Sequence, residues 1–135
     1  MSELTPRFLI EQGGWPPAYA KVITVATAGD HALAVIDPNG DGQDLNVDLY
    51  LRENGTWIEG SSSGIGSLDT TRAPSDIADG WSFPDIHDAI GIAPAGSEVT
   101  VRFNGTDHKI LASASGVWAF IGLGPDEAPS PTRTA

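Results

Sequence analysis

A chain of 135 residues, 40% apolar and 19% charged, has the size and composition of one globular domain rather than of a disordered segment. The net charge of −11, with lysine only at Lys21 and Lys109, argues against nucleic acid and anionic membrane as partners. Binding either one releases counterions through Lys and Arg. The absence of cysteine removes disulfides, zinc–thiolate centres and thiol catalysis together.

The start, Met1 to Arg7, has no basic stretch followed by an apolar run, so the cytoplasm is the expected compartment. The chain would be secreted if a leader had been removed. No segment approaches the ~18 apolar residues of a membrane helix.

In chain order, Phe8 to Ile10 is a short apolar run that reads as an edge strand. Gly13-Gly14-Trp15-Pro16-Pro17 is a turn, since neither Gly nor Pro holds a strand interior. Lys21 to Thr27 is a β-branched strand, Gly29-Asp30 turns it, and His31 to Ile36 returns. Asp37 to Asp44 is a polar loop. Leu45 to Arg52 alternates with a period of two: Leu45, Val47, Leu49 and Leu51 are assigned to a buried face, and Asn46, Asp48, Tyr50 and Arg52 to a wet one. Asn54-Gly55 suits a type I′ hairpin, which needs positive φ at both positions. Thr56 to Gly60 is the return strand.

Ser61 to Gly80 reads as a long irregular loop. Residues 82–91 fit a capped helix beginning at Ser82, and a strand through Ala89 to Ala93 competes with it. Val99, Val101 and Phe103 alternate with polar residues, Asn104-Gly105 makes a second hairpin, and His108 to Ser113 returns. Val117 to Leu123 is apolar on both faces and reads as a central strand. The proline-rich residues 125–135 read as a flexible tail. Eight or nine short strands with frequent turns predict an all-β fold: an antiparallel β-sandwich, immunoglobulin-like or a related Greek key, over residues 1–124. A small β-barrel is the alternative.

The two hairpins share the pattern RxNGT, at Arg52 to Thr56 and Arg102 to Thr106. Each return is followed by SxSG and a β-branched residue, at Ser61 to Ile65 and Ser113 to Val117. A duplicated half-domain accounts for this, as does ordinary hairpin chemistry used twice. In both registers the apolar rows face inward, Arg102 meets Asp107, Arg52 lies by Trp57, and His108 sits beside Val101 as a structural histidine.

The most specific chemical feature is Asp37-Pro38-Asn39-Gly40-Asp41-Gly42-Gln43-Asp44, which fits DxNxDG. Oxygens at alternate positions converge on a hard cation such as calcium, and Gly42 allows the bend. Counting Asp37 as position one, position twelve is Asp48, an acid. The candidate metal ligands are therefore Asp37, Asn39, Asp41, Asp44 and Asp48. The flanking strands exclude an EF-hand. Asp37 to Leu45 resembles the calcium loop of the FG-GAP family of β-propeller blades, close to DxNGDGxxDL, with the final Asp44-Leu45 one residue early. The resemblance implies Asp37, Asn39 and Asp41 as ligands. It covers nine residues and has no second copy, so it implies no propeller. Asp, Asn and Gly also build tight turns without any ion.

Three weaker features remain. Gly60 to Gly64 matches GxSxG, but no helix follows to make a nucleophile elbow. Asp85-Ile86-His87-Asp88 sets a histidine between acids, suited to a base with its orienting partner or to a metal. Trp118 and Phe120 share a strand face, either core or an exposed patch for a homodimer. The leading expectation is a non-catalytic binding or interaction domain for a protein or small ligand, stabilised by calcium if the 37–48 loop holds it. The alternatives are a small hydrolase or metal enzyme built on His87, and a structural or regulatory subunit acting through an oligomer interface.

Overall fold

The computed structural model describes residues 4–66, 77–82, 86–124 and 130–134. The chain is all-β with antiparallel sheets, apart from one short helix, and divides into two compact units, Met1–Ser67 and Leu68–Ala135.

The first unit opens with helix α1, Pro6–Gly13, where a strand at Phe8 to Ile10 is expected from the apolar run. The flanks decide the matter. The Thr5 hydroxyl accepts a hydrogen bond from the Phe8 N–H, Pro6 occupies the first turn, and Gly14 ends the helix in the left-handed conformation at φ 70°. Four strands follow: β1 (Lys21–Ala28), β2 (His31–Asp37), β3 (Leu45–Glu53) and β4 (Thr56–Gly66). They pair in the order β1-β2-β3-β4, a meander rather than a Greek key. α1 packs on one face of this sheet, burying Leu9 with Ala32, Ala34, Ile36, Tyr50 and Trp57.

That placement buries the second face of β3 as well: Leu45 and Val47 are buried as expected. Asn46, Asp48 and Tyr50, assigned to water, are buried, whereas Leu51 and its cross-strand partner Ile58 are 36% and 46% exposed. β4 also runs six residues past Gly60, in ladder with β3 through Gly66, where an irregular loop is expected from Ser61. The rest of that expected loop, 67–76, lies outside the described residues.

The second unit holds β5 (Ile77–Ser82), β6 (Ile86–Ile92), β7 (Glu98–Phe103), β8 (Thr106–Leu111), β9 (Val117–Leu123) and β10 (Ser130–Thr134). Of the two readings the strand is the one found, beginning three residues before the expected Ala89 and ending at Ile92; residues 83–85 lie outside the description. Two three-stranded sheets form, β5-β6-β9 and β10-β7-β8. Between them Ala89, Trp118 and Phe120 of the first meet Val99, Val101 and Phe103 of the second. β9 is buried on both faces as its composition predicts, but among the described residues it pairs only with β6 and is not central. Part of the expected tail forms β10, which pairs with β7 at the sheet edge, the position where a strand tolerates Pro131. Residues 125–129 lie outside the description.

Two glycines let the aromatic core close. A Cβ on Gly91 would fall inside the Trp118 indole, and one on Gly122 would lie 2.5 Å from the Phe103 ring.

Both hairpins take the predicted register. Asn54 and Gly55 have φ of 53° and 78°, Asn104 and Gly105 of 52° and 73°. Arg102 pairs with Asp107 and bonds it at 3.2 Å; the Arg52 guanidinium sits 5.0 Å over the Trp57 ring. His108 lies opposite Val101 with its ring 5.1 Å from Phe120, though its outer side is exposed. The duplication does not extend to topology. Ser61 to Ile65 lies within β4, while Ser113 to Val117 turns the chain into β9.

Candidate functional site

The densest polar site lies between α1 and the β3–β4 hairpin and centres on Asp48, which is 0% exposed. Asp48 lies on the same face of β3 as Asn46 and Tyr50, because side chains two apart share a face. Its Oδ2 accepts the Trp15 indole N–H at 2.9 Å. Its Oδ1 accepts the Asn46 amide at 2.6 Å and the Ser62 hydroxyl at 2.7 Å. Asn46 also donates to Ser62 at 2.7 Å, so the three side chains form a closed ring. A buried carboxylate needs this many donors, since an ionised group without partners would cost several kcal/mol.

Trp15 reaches Asp48 because of the two residues before it. Gly14 reverses the chain at the helix end, and a Cβ on Gly13 would collide with the indole and with the Asp48 carboxylate. The Gly13-Gly14-Trp15 sequence is therefore a device for folding an indole back over the sheet.

Glu59 is the cross-strand partner of Tyr50 and borders the same cluster. Its Oε2 is shielded from solvent and has no hydrogen-bond partner. Burial first, and the charge of Asp48 second, raise the Glu59 carboxyl above its ordinary value. Burial, then Asp48 and Glu59, push the Tyr50 phenol well up; its hydroxyl makes a long 3.4 Å contact with the Leu9 carbonyl. The ion pairs among the described residues are Arg7–Glu11, Arg52–Asp30, Arg102–Asp107 and Lys109–Glu98, so neither Asp48 nor Glu59 has a basic partner there.

Of the five candidate calcium ligands, Asp48 stands apart from the 37–44 loop. Asp37 is buried, and its two oxygens accept the Gly40 N–H at 3.0 Å and the Gly42 N–H at 2.8 Å. Asp41 accepts the Gln43 N–H at 3.0 Å. Asn39 and Asp44 are exposed. Asp48 pairs with Ala34, three residues from Asp37 along β2, which is roughly 10 Å of strand rise against ligand distances near ~2.4 Å. No group of three or more His, Cys, Asp or Glu side chains suited to a metal occurs among the described residues. In this geometry the carboxylates of Asp37 and Asp41 accept amides of their own loop.

Ser62 of the GxSxG match sits within a strand and donates to a carboxylate, with no histidine beside it in its hydrogen bonds. His87 is buried, with Nε2 3.2 Å from the Gly124 carbonyl and its ring 5.6 Å from Phe103. Asp88, adjacent on the same strand, points to the opposite face; Asp85 lies outside the described residues. Trp118 and Phe120 are buried in the core of the second unit.

Sequence reasoning missed Trp15, Asn46, Ser62 and Glu59. The one available signal was the Gly-Gly pair before a tryptophan, read only as a turn. No protein-family model matches the chain, and searches of curated proteins and of solved structures return no match. No helix among the described residues is long and apolar enough to cross a membrane.

Proposed function

We propose that the chain is a non-catalytic binding domain. The observation that supports this most directly is the state of Asp48: it is fully buried, and both its oxygens accept hydrogen bonds, from Trp15, Asn46 and Ser62. A base or nucleophile must lie within reach of a substrate. Asp37 is committed in the same way, to amides of its own loop. His87 and Asp88 cannot act as base and orienter from opposite faces of β6.

The acids thus serve as internal staples, and what the first unit offers a ligand is its surface. The test is a panel of ester, phosphoester and glycoside substrates against wild type, Ser62→Ala and His87→Ala. No turnover is expected from any of them. Turnover by wild type that either substitution abolishes would overturn the reading in favour of a hydrolase.

A further inference from the structure

We infer that the first unit binds an extended, basic peptide segment as a fifth strand along β4, held by a Lys or Arg of that segment against Glu59; this rests on the binding-domain reading above. Among the described residues β4 ends the sheet in the order β1-β2-β3-β4, and residues 60–64 are all exposed. A terminal strand leaves one row of N–H and C=O groups unpaired, which is what strand addition uses. Natural edges are guarded by lysine, proline or a blunt length. β4 has eleven residues with neither. It does carry two bulges, at Leu49/Tyr50 and Leu45/Asn46, but between them Ser61 to Gly64 keep unbroken register with Leu49 to Asn46. Their small side chains put no bulk in the way of an incoming strand.

Charge chooses the occupant. Glu59 and Asp48 lie on one face, neither is ion-paired among the described residues, and Glu59 Oε2 lacks a partner; Arg52, on the same face, is committed to Asp30 and the Trp57 ring. A side chain on that face of an added strand comes within about 4.5–5.5 Å of its neighbour, close enough for an ammonium or guanidinium to reach Glu59. A second copy of β4 cannot supply this, because Thr56–Gly66 contains no Lys or Arg and each copy carries −11. The partner must bring the positive charge.

The experiment uses the full chain and two fluorescein-labelled peptides of about eight residues, alternating Lys–Val and alternating Glu–Val. Anisotropy should show binding of the Lys–Val peptide alone, weakened about tenfold by Glu59→Gln and at least as much by Ser63→Lys, with melting temperatures showing both variants folded. Amide shifts in NMR spectra should cluster on residues 58–66. Binding that maps to the second unit, or that ignores both substitutions, overturns this inference and leaves the binding-domain reading standing. Equal binding of both peptides, or of neither, also overturns it. So does a dimer by light scattering whose 58–66 amides are protected from exchange, since a second copy would then cover the edge. Turnover in the substrate panel tests the parent reading separately.

Discussion

The indole N–H of Trp15 donates to Asp48 Oδ2 at 2.9 Å, joining the residue just past the helix to a strand 33 positions later. This bond explains why a polar face of β3 can be buried at all. It closes over the carboxylate from the helix side while Asn46 and Ser62 hold it from the sheet.

Trp15→Phe keeps the ring and removes the donor. A hydrogen bond to a charged group is worth about 1.5–3 kcal/mol, and that is the expected loss in urea unfolding. Gly13→Ala should cost a comparable amount, because its methyl group occupies the indole's place. Since both break one contact, the double variant should lose much less than the sum. Additive losses would mean that the two residues act separately.

Glu59 supplies a pH dependence with a definite sign. Its carboxyl is raised in the folded state by burial and then by Asp48. The native protein therefore holds this proton more tightly than the unfolded chain does. Stability from this group is fully present below the ordinary Glu value of about 4.3 and is lost as pH rises through the raised folded value. Glu59→Gln does not titrate, so its melting temperature relative to wild type should climb across that window. A difference that stays flat or falls with pH would contradict the assignment.

For the 37–44 loop, the expected result is stability without calcium. Asp37→Ala strands two backbone N–H groups, at a cost of about 1–3 kcal/mol, and the cost should be the same in millimolar calcium and in EDTA. Full occupancy of a real site at 100 times its Kd would add about 2.7 kcal/mol. A rise in melting temperature with calcium that Asp37→Ala removes would restore the ion-binding reading.

In the second unit, Gly122→Ala should destabilise by about 1–3 kcal/mol, because the added methyl meets the Phe103 ring. Phe103→Leu in the same chain should recover part of that loss by vacating the space. Trp118→Ala should cost about 3–5 kcal/mol without changing the mass by light scattering, as fits a core residue rather than a dimer contact. No recovery in the double variant would place the strain elsewhere.

What the sequence determined by itself is whatever depends on a few adjacent residues. Asn54-Gly55 and Asn104-Gly105 require left-handed φ, so the turns, the registers beyond them, and the Arg102–Asp107 and Arg52–Trp57 contacts were all legible. The period of two along Leu45 to Arg52 was legible as well, and so was the burial of Leu45 and Val47, but not the burial of the polar face. Alternation separates two faces; burial is decided by what lands on them. α1 covers the Asp48 face, and it was misread as a strand because three apolar residues at Phe8 to Ile10 carry little periodicity beside the caps at Thr5 and Gly14. The acids of the 37–48 stretch looked like one set of ligands because they are close in sequence. Only the tertiary structure decided their separate placement, by turning Asp37 toward its own loop amides and Asp48 toward Trp15, since each carboxylate leaving water is bound by the nearest donors the fold presents.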